Sequence, residues 1–116
     1  MSERMRRVNS IVREVLADEV EMLKDPRLVM VTITGVDTAP NLRRATVFYS
    51  ALDLEQAEVA GEALESAAPR LRRALGRQVR MKYTPALEFA LDEGVRGGER
   101  IDAILRDIAR DRDEEE

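Results

Sequence analysis

Residues 66–83 hold six basic side chains, Arg70, Arg72, Arg73, Arg77, Arg80 and Lys82, and no acid. Guanidinium groups at this density suit one kind of chemistry, the binding of phosphate, which Arg can grip bidentately. Over a few helical turns they create a local field of several kT, and a partner senses that field more than the chain's net charge of −4. That net charge is an average over unlike parts. Residues 1–83 carry 14 Lys/Arg and 12 Asp/Glu, whereas residues 84–116 carry 5 and 11. A Debye length of ~8 Å at physiological salt lets a distant acidic segment screen little of the basic one. On charge alone, a merely solvated arginine face is the competing reading.

Other chemistries are absent from the inventory. The chain has no cysteine, histidine or tryptophan, and only two Tyr and two Phe. This excludes a disulfide framework, a Cys/His metal site, a Cys/His nucleophile and a histidine base. Asp92-Glu93 is the one paired carboxylate near a predicted strand end, and beside Gly94 it reads as a turn former. Gly94, Gly97 and Gly98 fit no nucleotide-binding fingerprint. We therefore expect no enzyme, no cofactor and no metal. With Tyr49 and Tyr83 on alternations that face a core, only Phe48 is a candidate for exposure. The expectation is recognition of backbone and shape rather than of individual bases.

The 116 residues suffice for one domain, residues 1–110, followed by an acidic, disordered tail at 111–116. No apolar run approaches the ~18–20 residues of a bilayer span. The basic start, Met1 to Arg7, leads into an amphipathic stretch and does not read as a signal peptide. The missing cysteines suit a cytoplasmic location.

The spacing predicts a helix over 4–23, with Val8, Ile11, Val12, Val15, Leu16 and Leu23 on one side and Arg6, Ser10 and Arg13 opposite. Glu19 intrudes on that stripe and is expected at its rim or paired. Lys24-Asp25-Pro26-Arg27 reads as a helix stop with a local ion pair. Val29, Val31 and Ile33, then Ala45, Val47 and Tyr49, alternate as two antiparallel strands joined across residues 38–41. Asp53 is an N-cap with Gln56 at N3. From it, Ala57, Ala60, Leu64, Ala67, Ala68, Leu71 and Leu75 keep one helical phase through Pro69. A mid-helix proline predicts a kink between two helices, at Ala67-Ala68-Pro69, with Gly76 ending the second. Arg70, Arg73 and Arg77 then point outward together, beside amide groups freed by a helix that begins at Pro69. Residues 78–91 read as a third strand, with Pro85 a candidate break in it, and Ile101, Ile104, Leu105 and Ile108 as a short final helix. The fold class is α+β, a two-layer domain in the order α-β-β-α-kink-α-β with a short C-terminal helix.

Over roughly residues 4–105 the chain resembles the ribosome-binding factor A family. Two segments carry the resemblance, Leu23-Lys24-Asp25-Pro26-Arg27-Leu28 and Arg80 through Tyr83-Thr84-Pro85 to Phe89. Val36 to Pro40-Asn41-Leu42-Arg43, Leu71-Arg72, Leu75-Gly76 and Arg100-Ile101 support them. The resemblance implies a KH-like (type II) fold in which a kinked helix pair with an Ala-x-Gly element replaces the usual GXXG loop. Here Ala67-Ala68-Pro69 sets proline in the place of that glycine. It further implies binding to the immature small (30S) ribosomal subunit and its 16S rRNA, help with late rRNA processing, and a monomer when free, without membrane association. Arg70, Arg72, Arg73, Arg77, Arg80 and Lys82 are then the expected phosphate contacts, extended by Arg6, Arg13, Arg43 and Arg44, whose side of the fold stays open. The alternative is a small protein-interaction module whose arginines meet an acidic protein.

Overall fold

The computed structural model describes residues 2–92. Five main elements follow one another, α1 (Glu3–Leu23), β1 (Thr32–Thr38), β2 (Arg44–Ser50), α2 (Leu54–Gln78) and β3 (Ala86–Leu91), with a 3-10 turn at Pro26–Leu28. The sheet order is β1-β2-β3, with β1 antiparallel and β3 parallel to β2. The predicted final helix at 101–108, the tail at 111–116, and Glu93 to Gly98 lie outside the described residues.

Each boundary has a local cause. The Ser2 hydroxyl accepts from the Met5 amide at 3.2 Å and starts α1. Lys24 ends it in the left-handed region at φ 52°, and its amide donates to the Glu21 carbonyl. Asp25 then caps the 3-10 turn by accepting from the Arg27 amide at 2.9 Å, and its carboxylate pairs with the Arg27 guanidinium at 2.8 Å. This is the expected helix stop with its ion pair. Asp53 accepts from the Gln56 amide at 2.8 Å, and Gln56 Oε1 accepts in return from the Leu52 amide at 3.1 Å.

The buried stripe of α1 is Asn9, Val12, Leu16 and Val20. Ile11, expected in the core, is 45% exposed, because Asn9 takes the inward place and its Oδ1 accepts from the Thr38 amide at 2.8 Å. Glu19 is half-buried and accepts from Gln78 Nε2 at 2.7 Å, so the intruding acid is paired as expected. On α2 the predicted phase holds, with Ala57, Ala60, Leu64, Leu71 and Leu75 buried and Ala67 and Ala68 half-buried. These stripes meet Ile33, Val47 and Tyr49 of the sheet in one core.

Three expectations are corrected. β1 begins at Thr32 rather than Val29, which is 73% exposed in the turn after the 3-10 segment. An extra residue between Ile33 and Gly35 then shifts the register, so Ile33 opposite Tyr49 and Val36 opposite Val47 face the same side. α2 is one helix of 25 residues that runs through both Pro69 and Gly76. Burial of Leu71, Ala74 and Leu75 past the proline outweighs the interior penalty, since each buried Leu contributes about 1.5–3 kcal/mol. The third strand spans only Ala86–Leu91, and residues 79–85 connect it to α2.

Candidate nucleic-acid interface

Residues on α2 and in the connection to β3 carry the densest cation surface. Arg70, Arg73 and Arg77 are exposed on the solvent side of α2, opposite Leu71, Ala74 and Leu75, as their spacing predicts. Among the described residues no carboxylate forms an ion pair with any of the three. Their charge is thus available to a ligand. Arg80 and Lys82 follow, exposed, in the connection.

The helix N-terminus expected at Pro69 is not there. Because α2 is unbroken, the amides after Pro69 lie in the helix interior, and the end bearing free N–H groups is at Asp53, far along the helix from the arginines. Ala67, Ala68 and Pro69 are a half-buried pair and an exposed proline within that helix. The positive charge this face presents is therefore carried by side chains alone.

The other predicted cations divide into groups. Arg72 is spent on structure, since its Nε and Nη2 donate to the Thr84 carbonyl at 3.2 and 2.8 Å. Arg44 pairs diagonally with Glu88 across β2 and β3, two residues off the register that sets Arg44 opposite Ala86 and Glu88 opposite Thr46, so its charge is offset. Arg43 joins the α2 group through the connection, because its guanidinium carbon lies 3.9 Å from the Tyr83 ring centroid and Lys82 Nζ lies 5.5 Å from it. Arg6 and Arg13 sit on α1, where Arg6 has Glu3 at 4.0 Å and Arg13 is exposed.

Tyr83, which alternation assigns to the core, is 36% exposed. The assignment fails because residues 79–85 form no strand, so alternation there does not sort side chains between faces. Pro85, which is fully buried and cannot donate to a ladder, is the signal that the strand starts after it. Tyr49 is buried as expected, and Phe48 is half-buried. Asp92 accepts from the Thr34 hydroxyl at 2.7 Å, and its amide donates to the Tyr49 carbonyl at 2.7 Å. Those bonds tie it to the strand ends. Among the described residues, no group of acids is arranged to hold a metal, and no helix is long and apolar enough to cross a membrane.

The chain and its fold have known relatives. A family model described as Ribosome-binding factor A matches residues 4–105. Ribosome-binding factor A of Rubrobacter xylanophilus is 46% identical over 107 residues, covering 91% of this chain and 88% of the relative. The crystal structure of ribosome-binding factor A from Thermus thermophilus superposes with a TM-score of 0.70 at 34% identity, covering 75% of this chain and 94% of that one. A homology model of the Thermus thermophilus factor, fitted into the cryo-EM map of a 30S complex, matches with a TM-score of 0.61 at 36% identity, covering 71% and 88%.

Proposed function

The chain belongs to the ribosome-binding factor A family, and from that membership we propose that it binds the small (30S) ribosomal subunit during its maturation. Its target there is 16S rRNA, and its role is to assist late processing and folding of that RNA before dissociating. It acts as a cytoplasmic binding factor rather than an enzyme, needs no cofactor, and is a monomer when free. Its fold is read as KH-like, with the unbroken α2 in place of a nucleotide-clamping loop.

The observation that carries this reading is the outward row of Arg70, Arg73 and Arg77, exposed and without carboxylate partners among the described residues. Such a row neutralises phosphates and releases their counterions, an interaction that positions a protein on RNA without reading its sequence. Arg80, Lys82 and Arg43 extend the row towards the β1–β2 turn. Arg72 and Arg44 contribute less, since their guanidinium groups already serve Thr84 and Glu88. A domain held in this way keeps a segment of RNA in one arrangement until a competing contact displaces it.

The test is a triple replacement, Arg70, Arg73 and Arg77 by Ala, in the full chain. Each phosphate contact adds about 0.7–0.9 to the slope of log K against log salt, so the triple variant is expected to flatten that slope by about 2–3. On a sucrose gradient the wild type is expected with free small subunits, and the variant at the top. Unaltered affinity and slope would remove this face from the interface.

A further inference from the structure

Tyr83 and Arg43 form an exposed cation–aromatic stack that phosphate binding by α2 does not explain. What sets the stack apart is how firmly both backbones are held. On the Arg43 side, Leu42 is buried with a left-handed φ of 64°, which a bulky side chain rarely adopts. Asn41 Oδ1 accepts from the Arg43 amide at 3.0 Å, and the Arg43 carbonyl accepts from the Ala86 amide at 2.9 Å. On the Tyr83 side, the next residue is clamped twice. The Thr84 carbonyl takes both Arg72 bonds, and its hydroxyl lies so close to Gly76 that a Cβ there would sit 3.0 Å from it. Pro85 is then fully buried. Ring and guanidinium are thus presented to solvent from a rigid footing, and backbone strain retained at such a point is a mark of a presented site.

Proteins hold unpaired nucleotides by stacking the base on an aromatic ring or a guanidinium plane, with a cation close by for the phosphate. Every part of that arrangement is at hand. We infer that the Arg43–Tyr83 stack is a single-nucleotide subsite, on which one unpaired RNA base stacks while the Lys82 ammonium meets the adjoining phosphate. The inference rests on the RNA-binding reading above and adds the state of the ligand, single-stranded at this point. Stacking accepts any base, since each has a π-face, whereas bases stacked inside a duplex offer none. The subsite therefore selects an unpaired position and not a sequence.

The experiment measures binding of the full chain to an end-labelled, unstructured RNA strand and to the duplex of that strand with its complement, across a salt series. Tyr83→Leu is expected to lower strand affinity roughly tenfold, and duplex affinity by less than about twofold. The salt slope stays as in the wild type, because no phosphate contact is lost. Equal losses for strand and duplex, or no loss for the strand, overturn the subsite and leave the α2 phosphate surface standing. A wild type that binds neither RNA overturns both. A second variant guards against misfolding. The chain has no tryptophan, so Tyr83→Trp installs one indole, whose fluorescence the strand is expected to quench. An indole left bright at saturating strand overturns the subsite.

Discussion

Gly61 and Tyr49 share one contact that governs how closely α2 approaches β2. The Tyr49 hydroxyl donates to the Ala57 carbonyl at 3.1 Å, and a Cβ on Gly61 would fall 2.8 Å from the Tyr49 hydroxyl oxygen. Glycine costs a helix interior about 1 kcal/mol relative to alanine, so its presence here answers a steric need. Gly61→Ala is expected to destabilise the domain by about 1–2 kcal/mol through overpacking. Tyr49→Phe removes the hydroxyl and its hydrogen bond, at about 1 kcal/mol. The nearest remaining ring carbon is 3.8 Å from the added Cβ, an ordinary contact. In the phenylalanine background Gly61→Ala is therefore expected to stabilise, by up to about 1 kcal/mol, as helix propensity is released. Denaturant unfolding of the four proteins checks this reversal of sign. A cost that is the same in both backgrounds would refute the steric account.

At the scale of elements, α2 is a helix that local rules would divide. Pro69 has no N–H to give the Glu65 carbonyl, and an interior proline costs about 3 kcal/mol relative to alanine. Ala60 and Leu64 before it and Leu71 and Leu75 after it are all buried to 1% exposure or less, and they hold the two halves to one face of the sheet. Pro69 itself is exposed, so replacing it disturbs no packing. Pro69→Ala is expected to raise stability by about 1–3 kcal/mol, less the part returned by a more flexible unfolded chain. Scanning calorimetry should show Tm higher by several degrees; a lower Tm would mean that the proline relieves strain in α2. The same helix separates charge along its length. Asp53, Glu55, Glu58, Glu62 and Glu65 precede the proline, and Arg70, Arg72, Arg73 and Arg77 follow it. This polarity agrees with the helix dipole at both ends. The helical phase was legible from residues 57–75, because burial follows period. Its continuity was not, because the penalty at Pro69 is local and the compensation comes from the sheet beneath.

For the molecule as a whole, the absence of histidine and cysteine leaves no side chain with an ordinary pKa between about 5 and 8. Among the described residues, Asp25 and Tyr49 are displaced further from that window. Hydrogen bonds from Arg27 hold the Asp25 carboxyl below its usual range. Its stabilising effect is therefore full above the unfolded value and is lost as pH falls through the folded one. Burial, with a lesser push from Glu65, raises the Tyr49 phenol above its usual value. Folding favours the neutral phenol, so that contribution is full below about pH 10 and is lost as pH rises further. Thermal melts are expected to give a level Tm from about pH 5 to 9, with a fall on either side, and Tyr49→Phe to soften the alkaline fall. A slope between pH 6 and 8 would contradict this. Net charge is equally uninformative about the surface. Residues 2–92 hold 14 basic and 14 acidic side chains, so affinity for phosphate depends on their segregation.

By itself the sequence determined the apolar stripes of α1 and α2, the alternation of Ala45, Val47 and Tyr49 along β2, and the outward row of Arg70, Arg73 and Arg77. Those features depend on side-chain type and on a period of 3.6 or 2, which neighbouring residues carry. Where β3 begins, which cations remain unpaired and that Tyr83 faces solvent were decided only by the tertiary structure. Each turns on a contact between distant parts of the chain. Ala86 bonds Arg43, Arg72 holds Thr84, Glu88 offsets Arg44, and Arg43 covers Tyr83. No local period encodes such pairings, because they exist only once the sheet and α2 have been brought together.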